Sequence, residues 1–145
     1  MLKEIKTETE HFFIDKNRLK QGEYRDYHFN GQLWEHSFYL NNKRHGECKM
    51  YSIKAKLYRH MFFENGKRHG ETKKYHDNGQ LCEYAIYKNG IRHGVYERYY
   101  SNGELNYATF FFQGNDLNVN PDTLTERDKA YIMLSGRLPP RDDQC

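Results

Sequence analysis

The chain has 145 residues, enough for one domain. Its hydrophobic share of 37% includes 13 Tyr, so aliphatic core material is scarce, while 16% aromatic content argues against a disordered chain. With 23 Lys+Arg against 20 Asp+Glu, a net charge of +3 is weak for a nucleic-acid binder, which concentrates basic charge on one surface. Cys48, Cys82 and Cys145 are odd in number and lack CxxC spacing, which favours a reducing compartment over a disulfide scaffold. The N-terminus has no apolar leader and no run approaches the ~20 apolar residues of a membrane span. The expectation is an intracellular, cytoplasmic protein, in the host cytoplasm if the chain is viral.

Residues 1–21 read as a degenerate half-unit that caps the fold. Phe12-Phe13-Ile14 predicts an edge strand, and Asp15–Gln21 a turn leading to Gly22.

Residues 22–117 hold four 24-residue repeats. Glycines recur at Gly22, Gly46, Gly70 and Gly94, and leucines at Leu33, Leu57, Leu81 and Leu105. A finer period lies inside: Tyr27, Tyr39, Tyr51, Phe63, Tyr75, Tyr87, Tyr99 and Phe111 are each 12 apart. At 16% aromatics, eight such hits in a row arise by chance about once in a million trials, so the period is structural. Turn signals punctuate it at Asn30-Gly31, Asn65-Gly66, Asn78-Gly79, Asn89-Gly90 and Asn102-Gly103, because Asn and Gly tolerate the positive φ of tight turns. Asn41-Asn42 can substitute; Lys54-Ala55 is a poor copy and predicts an altered turn. The segments between turns are short and aromatic, as strands of ~6–9 residues are. Each unit is therefore one hairpin, and successive units continue a meander. Equivalent residues form ladders with rungs ~10 Å apart. Adjacent pairs such as Phe38-Tyr39 and Phe62-Phe63 point to opposite faces, so both faces are partly apolar.

In the tail, 118–145, the period stops and helical signals begin. Thr123 and Glu126 have capping-box spacing, Leu124, Tyr131 and Leu134 share one face, and Gly136 can end a helix over 123–135. It reads as a cap on the last strands, since an open sheet edge needs cover; the alternative is a docking helix. The fold class is all-β: an elongated antiparallel meander of repeated hairpins with a short C-terminal capping helix.

Gly70-Glu71, Tyr75 and Asn78-Gly79-Gln80-Leu81, with Phe63-Glu64-Asn65-Gly66-Lys67-Arg68-His69-Gly70, resemble MORN repeats over about 22–117. The variant is similar to that of bacterial and large-virus proteins. The better-known MORN pattern uses Gly-x-Trp, whereas Trp34 is the only tryptophan in this chain. The resemblance implies an elongated antiparallel sheet used for protein assembly, with membrane-lipid binding proposed for some members and an antitoxin role for some bacterial ones.

Two residue sets are candidate binding sites. The first is the column Lys43, Arg44, His45, Lys67, Arg68, His69, Arg92 and His93. It reads either as inter-hairpin turns whose side chains bond backbone or stack on rings, or as a cationic rim for an acidic partner or anionic lipid. A shared metal is excluded, since Zn²⁺ needs ligands at ~2 Å from one point and the rungs lie ~10 Å apart. The second set is Trp34 and Tyr58, which with Cys82 and Asn106 form one column. Exposed rings beside Arg are typical of protein-binding hot spots; otherwise these rings supply the core. Catalytic signatures are missing: no GxGxxG, GxxxxGK[ST], HExxH or GxSxG. The expected function is a non-catalytic scaffold with a protein partner, no cofactor and no metal; the alternatives are peripheral binding to anionic lipid and an antitoxin-like neutraliser. Self-association is left open.

Overall fold

The structure is a computed structural model and describes residues 1–140, so Cys145 lies outside the described residues. It is a single open 12-stranded antiparallel sheet with one C-terminal helix. An N-terminal hairpin is formed by β1 (Lys3–Lys6) and β2 (Glu10–Ile14). Four repeat hairpins follow. The first two are β3 (Lys20–Tyr27) with β4 (Leu33–Leu40), and β5 (Lys43–Tyr51) with β6 (Leu57–Glu64). The third joins β7 (Lys67–Arg68) and β8 (Gly70–Tyr75) to β9 (Leu81–Lys88). The fourth is β10 (Ile91–Tyr99) with β11 (Leu105–Phe112), and β12 (Asn115–Asp116) closes the path. The 12-residue aromatic period thus marks one strand per half-unit, as the sequence implied.

Two turn types alternate. Units are joined by two-residue turns, Asn41-Asn42, Asn65-Gly66, Asn89-Gly90 and Gln113-Gly114, with both residues at positive φ. That geometry matches the strand twist and selects Asn-Gly. Each hairpin closes with a five-residue turn. In His76–Gln80, His76 N–H donates to Gln80 O at 2.8 Å and Gly79 N–H to His76 O at 2.9 Å. The expectation of an altered turn at Lys54-Ala55 is corrected: Ser52 N–H reaches Lys56 O at 2.7 Å and Ala55 N–H reaches Ser52 O at 2.8 Å, the same two bonds. Ala55 takes φ 60 in place of glycine because the flanking β5–β6 register dictates the turn.

One sheet face is buried. Tyr24, Ser37, Cys48, Met61, Thr72, Ala85, Tyr96 and Thr109 lie in one cross-strand row, each under 9% exposed. Register shifts recur at the same place in every unit, at Asp26/Tyr27, Met50/Tyr51, Lys74/Tyr75 and Arg98/Tyr99. Such bulges bend the strands and increase the local twist, so the sheet does not stay flat. On the opposite, outer face, Phe38, Phe62 and Ile86 are half-buried.

The ends differ from expectation. The predicted single edge strand at Phe12–Ile14 is the second strand of a full hairpin, and the free edge is β1, paired Lys3↔Ile14 to Lys6↔His11. Lys-Glu-Ile-Lys carries no aromatic marker, so the period could not flag it; its charges also discourage edge pairing. The helix α1 spans Glu126–Ser135, not 123–135. Thr125 and Asp128 form the capping box instead of Thr123 and Glu126, because Pro121–Thr123 makes a 3-10 turn first. The buried face is also different: Ile132 is fully buried, whereas Tyr131 is 41% and Leu134 89% exposed. Gly136 ends α1 at φ 70, one turn beyond Ile132, where an added Cβ would sit 2.6 Å from the Phe112 ring. The helix therefore meets the sheet on its Ile132–Gly136 side.

Candidate functional site

The arginine column turns inward. Arg44 donates from Nε and Nη2 to the two Glu35 carboxylate oxygens at 2.9 and 2.8 Å, and its guanidinium lies 5.9 Å from the Tyr39 ring and 5.7 Å from Phe63. The Glu35 bond raises the Arg44 pKa further above its already high ordinary value. Arg68 stands 5.1 Å over Tyr87 and bonds its hydroxyl at 3.1 Å; Arg92 lies 4.5 Å over Tyr96 and 5.4 Å from Phe111. Lys20, one period earlier, sits 4.5 Å over Phe12 and 4.6 Å over Tyr24. Residues 20, 44, 68 and 92 thus form a cation ladder laid on rings, where partial desolvation strengthens each contact.

The histidine column serves the turns. His45, His69 and His93 each use Nδ1 to accept the backbone N–H that opens the next inter-unit turn: Asn65 at 3.2 Å, Asn89 at 3.4 Å and Gln113 at 3.0 Å. An accepting Nδ1 must be unprotonated, and burial, then the Lys88 charge, lowers the pKa of His93. Among the described residues no three His, Cys, Asp or Glu side chains cluster as metal ligands. Of the cationic rim, Lys43 and Lys67 remain exposed, their stems lying against Gly66 and Gly90 of the next turns.

Trp34 and Tyr58 are brought together, with Trp34 Nε1 donating to the Tyr58 hydroxyl at 3.3 Å. His28 stacks on Trp34 at 5.5 Å, which ties this outer-face column to the tip of the first hairpin. Phe29 occupies that tip and is 92% exposed. The next tip carries Ile53, 41% exposed, and Asn30 Nδ2 bonds its carbonyl at 3.1 Å. Trp34 is 40% exposed, so large apolar groups cluster on one margin of the first two units. The third and fourth tips carry Asp77 and Ser101 instead. Phe29 and Ile53 were not among the expected site residues, although the 24-residue spacing that aligns 29, 53, 77 and 101 could have exposed them.

A family description, MORN repeat variant, matches residues 20–41, 68–89 and 92–113. The chain is a MORN-repeat protein of the variant class. No curated protein matches its sequence. One solved structure, a mutant of S. aureus TarM in complex with fondaparinux, alpha-GlcNAc-glycerol and UDP, aligns at 14% identity with a TM-score of 0.32, covering 81% of this chain and 21% of that one. The chain spans well under half of that protein, and a score that low carries no structural argument.

The MORN sheet also carries polar triads on its outer face. Glu23 receives His36 Nε2 at 2.8 Å and Arg25 Nη2 at 2.6 Å; Glu47 receives His60 Nε2 at 3.0 Å with Lys49 at 3.5 Å. In the third unit Tyr84 replaces the histidine and donates to Glu71 at 2.8 Å. The histidine bonds chiefly hold Glu23 and Glu47 below the ordinary carboxylate range. These groups pair charge on the outer face of the first three units, and Val95 takes the glutamate's place in the fourth. Among the described residues the one buried thiol, Cys48, has its pKa pushed up to about 12 chiefly by burial and is unsuited to nucleophilic chemistry.

Proposed function

We propose that this MORN protein is a non-catalytic scaffold that binds a protein partner through the aromatic margin of its first two repeats. The observation carrying this reading is the cluster of Phe29, Trp34 and Ile53, exposed by 92, 40 and 41% at repeat positions where the later units carry polar or small residues. The fold tolerates Asp77 and Ser101 at the tip, so it does not require Phe29 and Ile53 there. Rigid rings beside an arginine are the usual anchors of a protein interface, and Arg59 stands 5.8 Å from the Tyr58 ring. The lipid reading is weaker, because Arg44, Arg68 and Arg92 spend their charge on internal rings and only the Lys43 and Lys67 heads project from the rim.

The test is affinity capture from the native host with Trp34→Ala and Tyr58→Ala beside the parent protein, each with its unfolding midpoint measured. A partner captured by the parent and lost from a folded double variant is the expected result. Recovery of the same partner by that variant would refute the reading.

A further inference from the structure

The second unit departs from its siblings at one place. The hairpin turns of units one and three read His28-Phe29-Asn30-Gly31-Gln32 and His76-Asp77-Asn78-Gly79-Gln80, and that of unit two reads Ser52-Ile53-Lys54-Ala55-Lys56. Each element of the common turn has a structural use. His28 and His76 bond the Tyr51 and Tyr99 carbonyls of the following unit at 2.8 and 2.9 Å. Asn30 and Asn78 bond the Ile53 and Ser101 carbonyls at 3.1 and 2.6 Å, and Gly31 and Gly79 supply positive φ. Unit two gives up the histidine and the glycine. Ser52 cannot reproduce the ring stitch, and Ala55 bears a φ of 60 that costs about 1 kcal/mol relative to glycine, while the amide stitch passes to Lys56, whose ammonium bonds the Asp77 carbonyl. The MORN description correspondingly matches units one, three and four and skips unit two.

Such breaks with local rules concentrate where something other than folding selects the residues. What unit two gains is charge. Positions that hold Asn30, Gln32 and Glu35 in unit one, and Asn78, Gln80 and Glu83 in unit three, hold Lys54, Lys56 and Arg59. One carboxylate becomes three cations: Lys54 and Lys56 on the exposed turn, and Arg59 with its guanidinium 5.8 Å from the Tyr58 ring. Beside them an open groove of ≈ 470 Å³ runs between the second and third turns, lined by Lys56, Leu57, Tyr75, Asp77, Asn78 and Gly79. The Lys56 ammonium reaches the Asp77 carbonyl at 2.8 Å.

We infer that the Ser52–Lys56 turn and the groove beside it form the docking site for an acidic peptide segment with a large apolar anchor, the anchor in the Leu57–Tyr75 groove and its carboxylates on Lys54, Lys56 and Arg59. This rests on the protein-scaffold reading and names the partner's chemistry. Charge complementarity selects the occupant: Lys54, Lys56 and Arg59 outnumber the single carboxylate that lines the groove, Asp77, so a basic segment would add to an unbalanced positive charge.

The deciding variant grafts the third unit's turn onto the second: Ser52→His, Ile53→Asp, Lys54→Asn, Ala55→Gly and Lys56→Gln together. The graft restores the common turn and is expected to raise the unfolding midpoint, so loss of binding cannot be blamed on misfolding. A random 12-residue peptide display library is selected on the immobilised full chain. The expected winners carry net negative charge and a large apolar residue, bind the graft at least about tenfold more weakly, and weaken with added salt. Neutral or basic winners, or equal binding to the graft, would overturn the inference. In a parallel arm, vesicles of phosphatidylcholine with phosphatidylglycerol that bind the parent but not the graft, with no peptide enriched, would overturn it in favour of a membrane. If peptides bind the graft normally but fail on Trp34→Ala/Tyr58→Ala, the scaffold reading stands and the acidic-segment site falls.

Discussion

Arg44 clasps Glu35 with two parallel hydrogen bonds, at 2.9 and 2.8 Å, across neighbouring strands. The Glu35 side chain is only 7% exposed and that of Arg44 38%, so the carboxylate depends on this partner more than the guanidinium does. Ser37 also donates to Glu35 at 2.8 Å. Arg44→Ala leaves a desolvated carboxylate with weaker support and is expected to destabilise the protein by about 2–3 kcal/mol. The double change Arg44→Ala/Glu35→Ala should cost less than the sum of the two single changes, because each removes the other's penalty. Urea unfolding of the four proteins measures this; strict additivity would show that the pair is not coupled.

Ala55→Gly removes a left-handed strain that the β5–β6 register imposes. The variant is expected to gain about 1 kcal/mol, less the entropy that glycine adds to the unfolded chain. A higher urea midpoint at unchanged slope checks it. A lower midpoint would mean that the Ala55 methyl makes a packing contribution larger than the strain.

Much of the fold was legible because the sequence repeats itself. Leu33 and its equivalents 24 residues on mark each hairpin, and Asn-Gly pairs mark the turns, so local propensity and long-range pairing agreed. They disagreed at Ala55, where cross-strand pairing overrode the weak turn signal. The β1 strand, Lys-Glu-Ile-Lys, has no period to betray it and forms because Phe12 and Phe13 of β2 present an edge. The direction of Arg44, Arg68 and Arg92 was hidden for another reason. A basic triplet before a glycine reads as a solvated turn, and only the bulge around Gly46, between the pairs Tyr39↔Arg44 and Ser37↔Cys48, sets Arg44 opposite the Tyr39 ring. The apolar tips Phe29 and Ile53 were visible only by comparing units position by position.

Acid should loosen the last inter-unit turn first. Burial lowers the His93 pKa, so the unfolded chain takes up its proton at a higher pH, near the ordinary value of about 6.5. The stability that neutral His93 contributes is complete above that value and is lost as pH falls through the folded one. Protonation also abolishes the acceptor that holds Gln113 N–H at 3.0 Å. His93→Gln, which cannot protonate but keeps an acceptor oxygen, is expected to lose less stability than the parent between pH 7.5 and pH 5. Identical losses would show that His93 does not carry the acid sensitivity of this window; Glu23 and Glu47, held below the ordinary 4.5, give up their contribution only at lower pH.

Thr72 tests how tightly the buried face is sealed. Its side chain is 1% exposed in the row between Met61 and Ala85, and Oγ1 has no hydrogen-bond partner among the described residues. Elsewhere in the column Tyr24, Cys48 and Tyr96 donate to the carboxylates of Glu10, Glu35 and Glu83, whereas Arg59 stands where Thr72 would find the equivalent of Glu35 and Glu83, so its hydroxyl has no carboxylate to meet. A buried hydroxyl without a partner costs about 1–3 kcal/mol, whereas valine has nearly the same shape and a higher preference for strands. Thr72→Val is therefore expected to raise stability by about 1 kcal/mol, read as a higher midpoint in urea. Thr72→Ser, which keeps the hydroxyl and deletes the methyl, should lower it by a comparable amount through the void it leaves. If valine proved the less stable replacement, the hydroxyl would have to be satisfied by an ordered water inside the sheet. The central units would then be held together by a polar contact where the side chains alone indicate an apolar one.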